Sequence, residues 1–268
     1  MIRIGAVPYL NGKPLVRGLD GEPNVELIYE VPSNLAAMLE SGEIAAGLVS
    51  SVACFTDPSL QIVSGISISC DGPAESVKLF HKGRLGDIRS VALDTSSLTS
   101  VLLAKIILRE RYELLPDFVP MPPSLPEMLE ACDAAVTIGD TTMRAPADRW
   151  PSIDLGEEWH ALTGLPFVFA VWAVNPSLAT VELVDILVSA KARGLASIRE
   201  ISMEEASRLG LSVEVCFRYL SRTMDYDLTE RHMEGLRLFR EKIERYGLMP
   251  SAHEPQLYQT STAKSCCR

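Results

Sequence analysis

Basic charge is scarce in this chain of 268 residues: 25 lysines and arginines stand against 35 aspartates and glutamates, a formal net charge of −10. A surface of that sign repels phosphate backbones and anionic headgroups, so binding to nucleic acid or to a membrane surface is not expected. Long hydrophobic runs are missing too. The longest clear one, Leu165–Val174, falls well short of the ~20 residues a membrane span requires. Cysteine is unpatterned. Cys54, Cys70, Cys132 and Cys216 sit in apolar surroundings without a CxxC spacing and read as buried thiols, while Cys266 and Cys267 are vicinal in a polar tail that reads as loose. His81, His160, His232 and His253 are scattered and have no zinc-ligand spacing, so no metal is expected. No GxGxxG, P-loop or GxSxG motif occurs, which removes most of the case for a nucleotide cofactor or a serine hydrolase. No cofactor is expected.

What is present is ordinary globular material. Hydrophobic residues make up 47% of the chain, and a chain of this size buries about three-quarters of its unfolded surface. Met1–Val7 reads directly as a strand, without a basic leader or cleavage site, so a cytoplasmic protein is expected. Alternating apolar runs predict strands at Ile2–Val7, Val25–Glu30, Ala45–Val49, Ile66–Ser69, Val77–His81, Val91–Asp94, Phe118–Pro120, Ala134–Ile138 and Pro166–Val174. Helical spacing falls between them. Ser33 is placed to cap one helix, and Leu98, Leu102 and Ile106 form the stripe of another after Ser97. Ser124 with Glu127 and Ser202 with Glu205 read as capping boxes. Leu183, Ile186, Leu187 and Ala190 mark one late helix; Leu228, Leu236, Phe239 and Ile243 mark another, which Gly247 should stop. Strands alternating with helices define an α/β protein.

A faint internal echo bears on the architecture. Pro32-Ser33 leads to Met38-Leu39-Glu40 and then Ala45-Ala46-Gly47-Leu48, while Pro123-Ser124 leads to Met128-Leu129-Glu130 and then Ala134-Ala135-Val136. Either the similarity is fortuitous or two lobes share one construction, with strand ends facing a common cleft. On the second reading the expected division is residues 1–86 with 175–268 as lobe one and 87–174 as lobe two.

Hydroxyl groups gather where strands give way to helices. Asp94-Thr95-Ser96-Ser97-Leu98-Thr99-Ser100 carries more of them than one cap requires. Free N–H groups and the positive end of a helix dipole would make such a junction an anion seat without lysine or arginine. Ser50-Ser51 repeats the theme, as cap or as ligand site. Gly139-Asp140-Thr141-Thr142 ends another strand, where Gly139 admits close approach and Asp140 either meets ligand or caps the next turn. Asn11 follows the first strand, in an Asn-Gly that is equally a turn former. Ser76 either faces the cleft or lies at the surface. Asp154-Leu155-Gly156-Glu157-Glu158-Trp159 is expected to be a solvated turn rather than an acid/base pair.

These segments resemble one family as an ordered set: Tyr9-Leu10-Asn11 with Pro14-Leu15, Val31-Pro32-Ser33, Gly47-Leu48-Val49-Ser50-Ser51, Glu75-Ser76, Val91-Ala92-Leu93-Asp94 with Ser96-Ser97 and Thr99-Ser100, Ile138-Gly139-Asp140, and Asp154-Leu155-Gly156 with Trp159 and Thr163–Ala170. The resemblance, to chorismate dehydratases of the futalosine route to menaquinone, spans roughly Met1 to Gly247. It implies a two-lobed Venus-flytrap fold of the type II periplasmic-binding-protein kind. It also implies loss of the ring hydroxyl of chorismate as water, without cofactor, the substrate's own enolpyruvyl group serving as base. Under that likeness Asn11 orients the hydroxyl and the reactive conformer. Ser51, Ser76, Ser96, Ser97 and Thr99 are the candidates to hold the two carboxylates, with Ser50, Gly139 and Asp140 completing the expected substrate-binding set. The sister lyase, 1,4-dihydroxy-6-naphthoate synthase, is the nearest alternative, but it uses a histidine base and Ile138–Thr142 contains none. A solute-binding protein would need export, a regulator's sensing domain would need an attached output segment, and a non-catalytic anion-binding protein would share the cleft.

Overall fold

The computed structural model describes residues 1–146 and 149–258. Cys266 and Cys267 lie outside the described residues. The chain opens with β1 (Ile2–Ala6), a short 3-10 turn and α1 (Lys13–Val16), then β2 (Val25–Tyr29), α2 (Pro32–Glu40), β3 (Ala46–Ser50), α3 (Ala53–Thr56) and the long β4 (Gln61–Cys70). It continues through β5 (Val77–His81), β6 (Ser90–Asp94), α4 (Leu98–Tyr112), β7 (Asp117–Met121), α5 (Leu125–Ala131), β8 (Ala134–Ile138), α6 (Gly139–Met143), β9 (Ser152–Asp154) and α7 (Leu155–Thr163). The last part holds β10 (Phe167–Val174), α8 (Val181–Ala196), α9 (Ile198–Leu209), α10 (Val213–Arg218) with a π-helical turn at Tyr219–Thr223, α11 (Glu230–Arg245) and β11 (Gln256–Leu257).

Two sheets result. The first runs in the order β11-β4-β10-β3-β1-β2 and the second β7-β6-β8-β5-β9. The repeated sequence segments occupy equivalent places, α2–β3 in one sheet and α5–β8 in the other. Each sheet carries the same unit: three parallel strands, β2-β1-β3 or β7-β6-β8, extended by an antiparallel fourth, β10 or β5. Parallel strands need helical crossovers that cover both faces of the sheet. The small or β-branched residues of β3 and β8 are correspondingly buried.

Sheet membership corrects the expected division at 86/87 and 174/175. β5 pairs with β8, so it belongs to the second sheet, and β10 pairs with β3 and β4 in the first. The chain crosses at residues 71–76 and returns at 164–166, because each unit takes its antiparallel fourth strand from the segment that has just crossed. Both crossings are pinned. At the first, Asp154 accepts N–H groups from Ala74 (2.8 Å) and Glu75 (2.7 Å) while also capping α7 through Gly156 and Glu157. That carboxylate is therefore part of the crossing rather than of a solvated turn. At the second, Trp159 donates its indole N–H to Pro166 O (3.2 Å), and its ring meets Phe167 and Phe239 at centroid distances of 5.3 and 5.9 Å.

Local expectations fared unevenly. Ser97 caps α4 by accepting from Ser100 N, and α11 ends two residues before Gly247. α2 begins at Pro32 with Val31 in the cap position. Ser124 occupies the cap of α5 but makes no side-chain cap bond. Ser202 starts nothing: it lies buried in the middle of α9 and donates to Ile198 O at 2.7 Å, a local bond that a serine inside a helix commonly adopts. The four described cysteines are buried, and burial pushes the Cys54 thiol up to about 12 and the Cys70 thiol well above its ordinary value. No described helix is long and apolar enough to cross a membrane.

Candidate functional site

The carboxyl ends of β1, β3, β6 and β8 converge between the two sheets, where open α/β sheets place their ligands. A small cavity, about 60 Å³, lies there. Tyr9 and Asn11 reach it from the turn after β1, Ser50 from the end of β3, and Ser76 from the first crossing. Ser97 and Ser100 reach it from the first turn of α4, and Gly139 from the start of α6. Val7, Ile68, Val77, Ile138 and Phe169 supply apolar wall. No lining residue carries a carboxylate, imidazole, ammonium or guanidinium group. Tyr9 is the one titratable group, and burial pushes its phenol above the ordinary value.

Of the expected residues, Asn11, Ser50, Ser76, Ser97 and Gly139 are brought together on this cavity, whereas Ser51, Ser96, Thr99 and Asp140 are not among its lining. Each of the four is occupied elsewhere. Ser51 is wholly buried and donates to Val168 O at 2.9 Å. The Ser96 hydroxyl and N–H both go to Asp94 Oδ1. Thr99 meets Ser50 across the cleft in a short hydrogen bond, with Ser51 Oγ 3.4 Å away. Asp140 accepts from Leu10 N at 3.1 Å and from Arg208 at 3.4 Å, so its carboxylate ties the second sheet's strand end to the turn that carries Asn11. A hydroxyl has one proton to give, and Ser51 and Ser96 have already given theirs within the protein.

Sequence reasoning passed over Tyr9, Ser100, Phe169 and Tyr219. Tyr9 and Ser100 stood inside the quoted motifs without being singled out. Tyr219 lies in a helical segment 143 positions from its partner Ser76, to which its hydroxyl donates at 2.8 Å, and no local pattern announces such a contact. Gly139 earns its place by backbone geometry. Its φ is +60°, a conformation strained for any residue with a side chain.

Electrostatically the pocket is a set of neutral donors at the positive end of a long helix. α4 runs 15 residues from its Ser97 cap, and its unpaired first-turn N–H groups favour an anion within reach. One atom has the opposite character. Asn11 Oδ1 is buried and has no hydrogen-bond partner. A buried acceptor without a partner is costly, and this one stands ready for a donor brought by a ligand.

Two α/β lobes closing on a cleft at their strand ends define the fold class of the type II periplasmic binding proteins. Solved structures agree. A protein of Archaeoglobus fulgidus aligns with a TM-score of 0.74 at 18% identity, covering 92% of this chain and 98% of its own. The periplasmic aliphatic sulphonate binding protein of Escherichia coli aligns at 0.65 and 14%, covering 97% and 94%. Within that class the chain belongs to the menaquinone biosynthesis family, whose model matches residues 2–245. It is 35% identical over 266 residues to the chorismate dehydratase of Thermus thermophilus, covering 90% of this chain and 94% of that relative.

Proposed function

We propose that this chain is a hydro-lyase that removes the ring hydroxyl of chorismate as water and releases 3-(1-carboxyvinyloxy)benzoate for menaquinone biosynthesis. The observation that carries this reading is the single unpartnered acceptor, Asn11 Oδ1, in a pocket otherwise built of neutral donors. A dicarboxylate suits the donors. Its carboxylates have no proton to offer Asn11, whereas a ring alcohol does. Asn11 Oδ1 therefore accepts a hydrogen bond from the ring hydroxyl of chorismate and orients the carbon–oxygen bond that breaks.

The elimination balances without a protein base. The substrate's enolpyruvyl carboxylate takes the proton from the ether-bearing ring carbon, the hydroxyl leaves from its neighbour, and the ring becomes aromatic. Water carries away the hydroxyl and one proton. The chain's contribution is to select the conformer that brings that carboxylate to the ring proton, and to keep bulk water out. Ser97 and Ser100 at the α4 N-terminus are suited to one carboxylate and Ser50 and Ser76 to the other. The sister lyase would need a histidine here, and no histidine lines the cavity: the His81 ring is bonded to Gly83 O, that of His160 to Asp71 and that of His232 to Thr229, while His253 donates its backbone N–H to Phe55 O. A cytoplasmic location goes with this reading and is supported by four buried, unpaired thiols.

Purified protein mixed with chorismate should produce the aromatic ether without added cofactor, read by proton NMR. Persistence of the cyclohexadiene signals would refute the reading. The Ser50–Thr99 contact supports a closed form, because it joins the end of β3 to α4 across the cleft. Thr99→Val removes that bond and leaves the Ser50 hydroxyl unmatched. The KM for chorismate should rise about tenfold, as expected for the loss of one hydrogen bond, with the melting temperature nearly unchanged. A parental KM would show that closure does not depend on this pair.

A further inference from the structure

We infer that Tyr219 is a positioning residue for this reaction, acting through Ser76 to turn that serine's proton into the cavity. The inference rests on the chorismate reading above. Tyr219 is buried, with 1% of its surface exposed, and does not line the cavity. Its hydroxyl donates to Ser76 Oγ at 2.8 Å.

Donor chemistry sets the direction of this chain. The Tyr219 hydroxyl gives its proton to Ser76 Oγ. A serine that accepts at Oγ keeps its own proton for another partner, and within the described chain the Ser76 hydroxyl has no acceptor of its own. Its remaining direction is the cavity it lines. The phenol thus leaves Ser76 to present its hydrogen as donor. Burial pushes the Tyr219 phenol well above its ordinary value, with the contacts to Ser76 and Asn11 pulling the other way without reversing it. The group therefore stays a neutral donor at working pH.

The backbone around Tyr219 is built for this reach. Tyr219 opens a π-helical turn that ends at Thr223, a local widening of the helix found often at functional sites. The same turn grips the residue before Ser76. Arg218 Nη2 bonds Glu75 Oε2 at 2.9 Å and Thr223 Oγ1 donates to Glu75 Oε1 at 3.1 Å. Glu75 has φ +57°, a left-handed conformation that is unfavourable for glutamate. Glu75 is held between this turn and the Asp154 carboxylate, which accepts its N–H at 2.7 Å, and this fixes the backbone that leads into Ser76.

The test uses the full chain. Tyr219→Phe deletes one oxygen and leaves the ring packing in place. Turnover of chorismate should fall about tenfold with KM little changed. In a Ser76→Ala background the same substitution should change turnover by less than about twofold, because both changes remove one coupled unit. Tyr226→Phe is the control for a merely structural loss. That tyrosine is also buried, its hydroxyl has no partner, and its removal should leave turnover unchanged. A Tyr219→Phe enzyme with parental turnover, a loss that multiplies with that of Ser76→Ala, or an equal loss in Tyr226→Phe would each overturn the inference while the parent remains active. A parent inert toward chorismate would overturn the underlying reading, and this inference with it.

Discussion

Asn11→Ala should abolish most dehydration, with turnover of chorismate down about a thousandfold, while the melting temperature stays within about two degrees of the parent. The magnitude follows from what the side chain is placed to do. Asn11 Oδ1 is a buried acceptor with no partner among the described residues, so truncation breaks no hydrogen bond of that oxygen and should not weaken the fold through it. For the reaction, losing a preorganised polar group at the reacting centre costs about 10²–10³ in rate. A substrate left free to take other conformers adds to the loss, since the elimination needs the side-chain carboxylate over one ring proton. Asn11→Asp sharpens the point. It keeps an acceptor but adds charge beside a dianion, so KM should rise steeply as well. An Asn11→Ala enzyme with normal turnover would reduce the residue to a turn former and remove the main support for the proposed chemistry.

Gly194→Ala should produce the largest loss of stability, about 3 kcal/mol, at the upper end of ordinary overpacking costs. A Cβ on Gly194 would stand 1.8 Å from Pro14 O. That neighbour is backbone, so no side chain can rotate aside and α8 must move away from α1. For a chain of this size such a loss lowers the melting temperature by about 5 °C. The displacement should also reach the site, because α1 follows directly on the turn that carries Asn11. A rise in KM with the drop in stability, measured below the new melting temperature, is the expected signature. A melting temperature equal to the parent's would mean that the helices part without cost.

Much of this architecture was readable from residues alone. Nine strands appeared where alternation placed them, since runs such as Val77–His81 and Ala134–Ile138 are short, β-branched and bounded by turn formers. Two strands escaped. Ser152–Asp154 and Gln256–Leu257 are brief edge segments whose pairing comes from the sheet beside them rather than from their own composition. Ser202-x-x-Glu205 misled for a related reason. The motif describes a helix start, but α9 had already begun at Ile198, and a local pattern does not register the upstream turn.

The site divides along the same line. Neutral hydroxyls at several strand ends, an asparagine after the first strand and no basic residue among them are properties of the sequence, and they pointed to an anion seat built without lysine or arginine. Which hydroxyl faces the ligand was decided by folding. Ser50 and Ser51 are adjacent, yet one lines the cavity and the other is used on Val168 O. Ser96 and Ser97 part in the same way, because Asp94 claims the first. The order of elements, the sign of the charge and the stock of donors therefore belong to the sequence. The crossing points, the contact across the cleft and the hold of Tyr219 on Ser76 belong to the tertiary structure, because a single proton goes to whichever acceptor the fold brings nearest, and those partners lie up to 143 positions away.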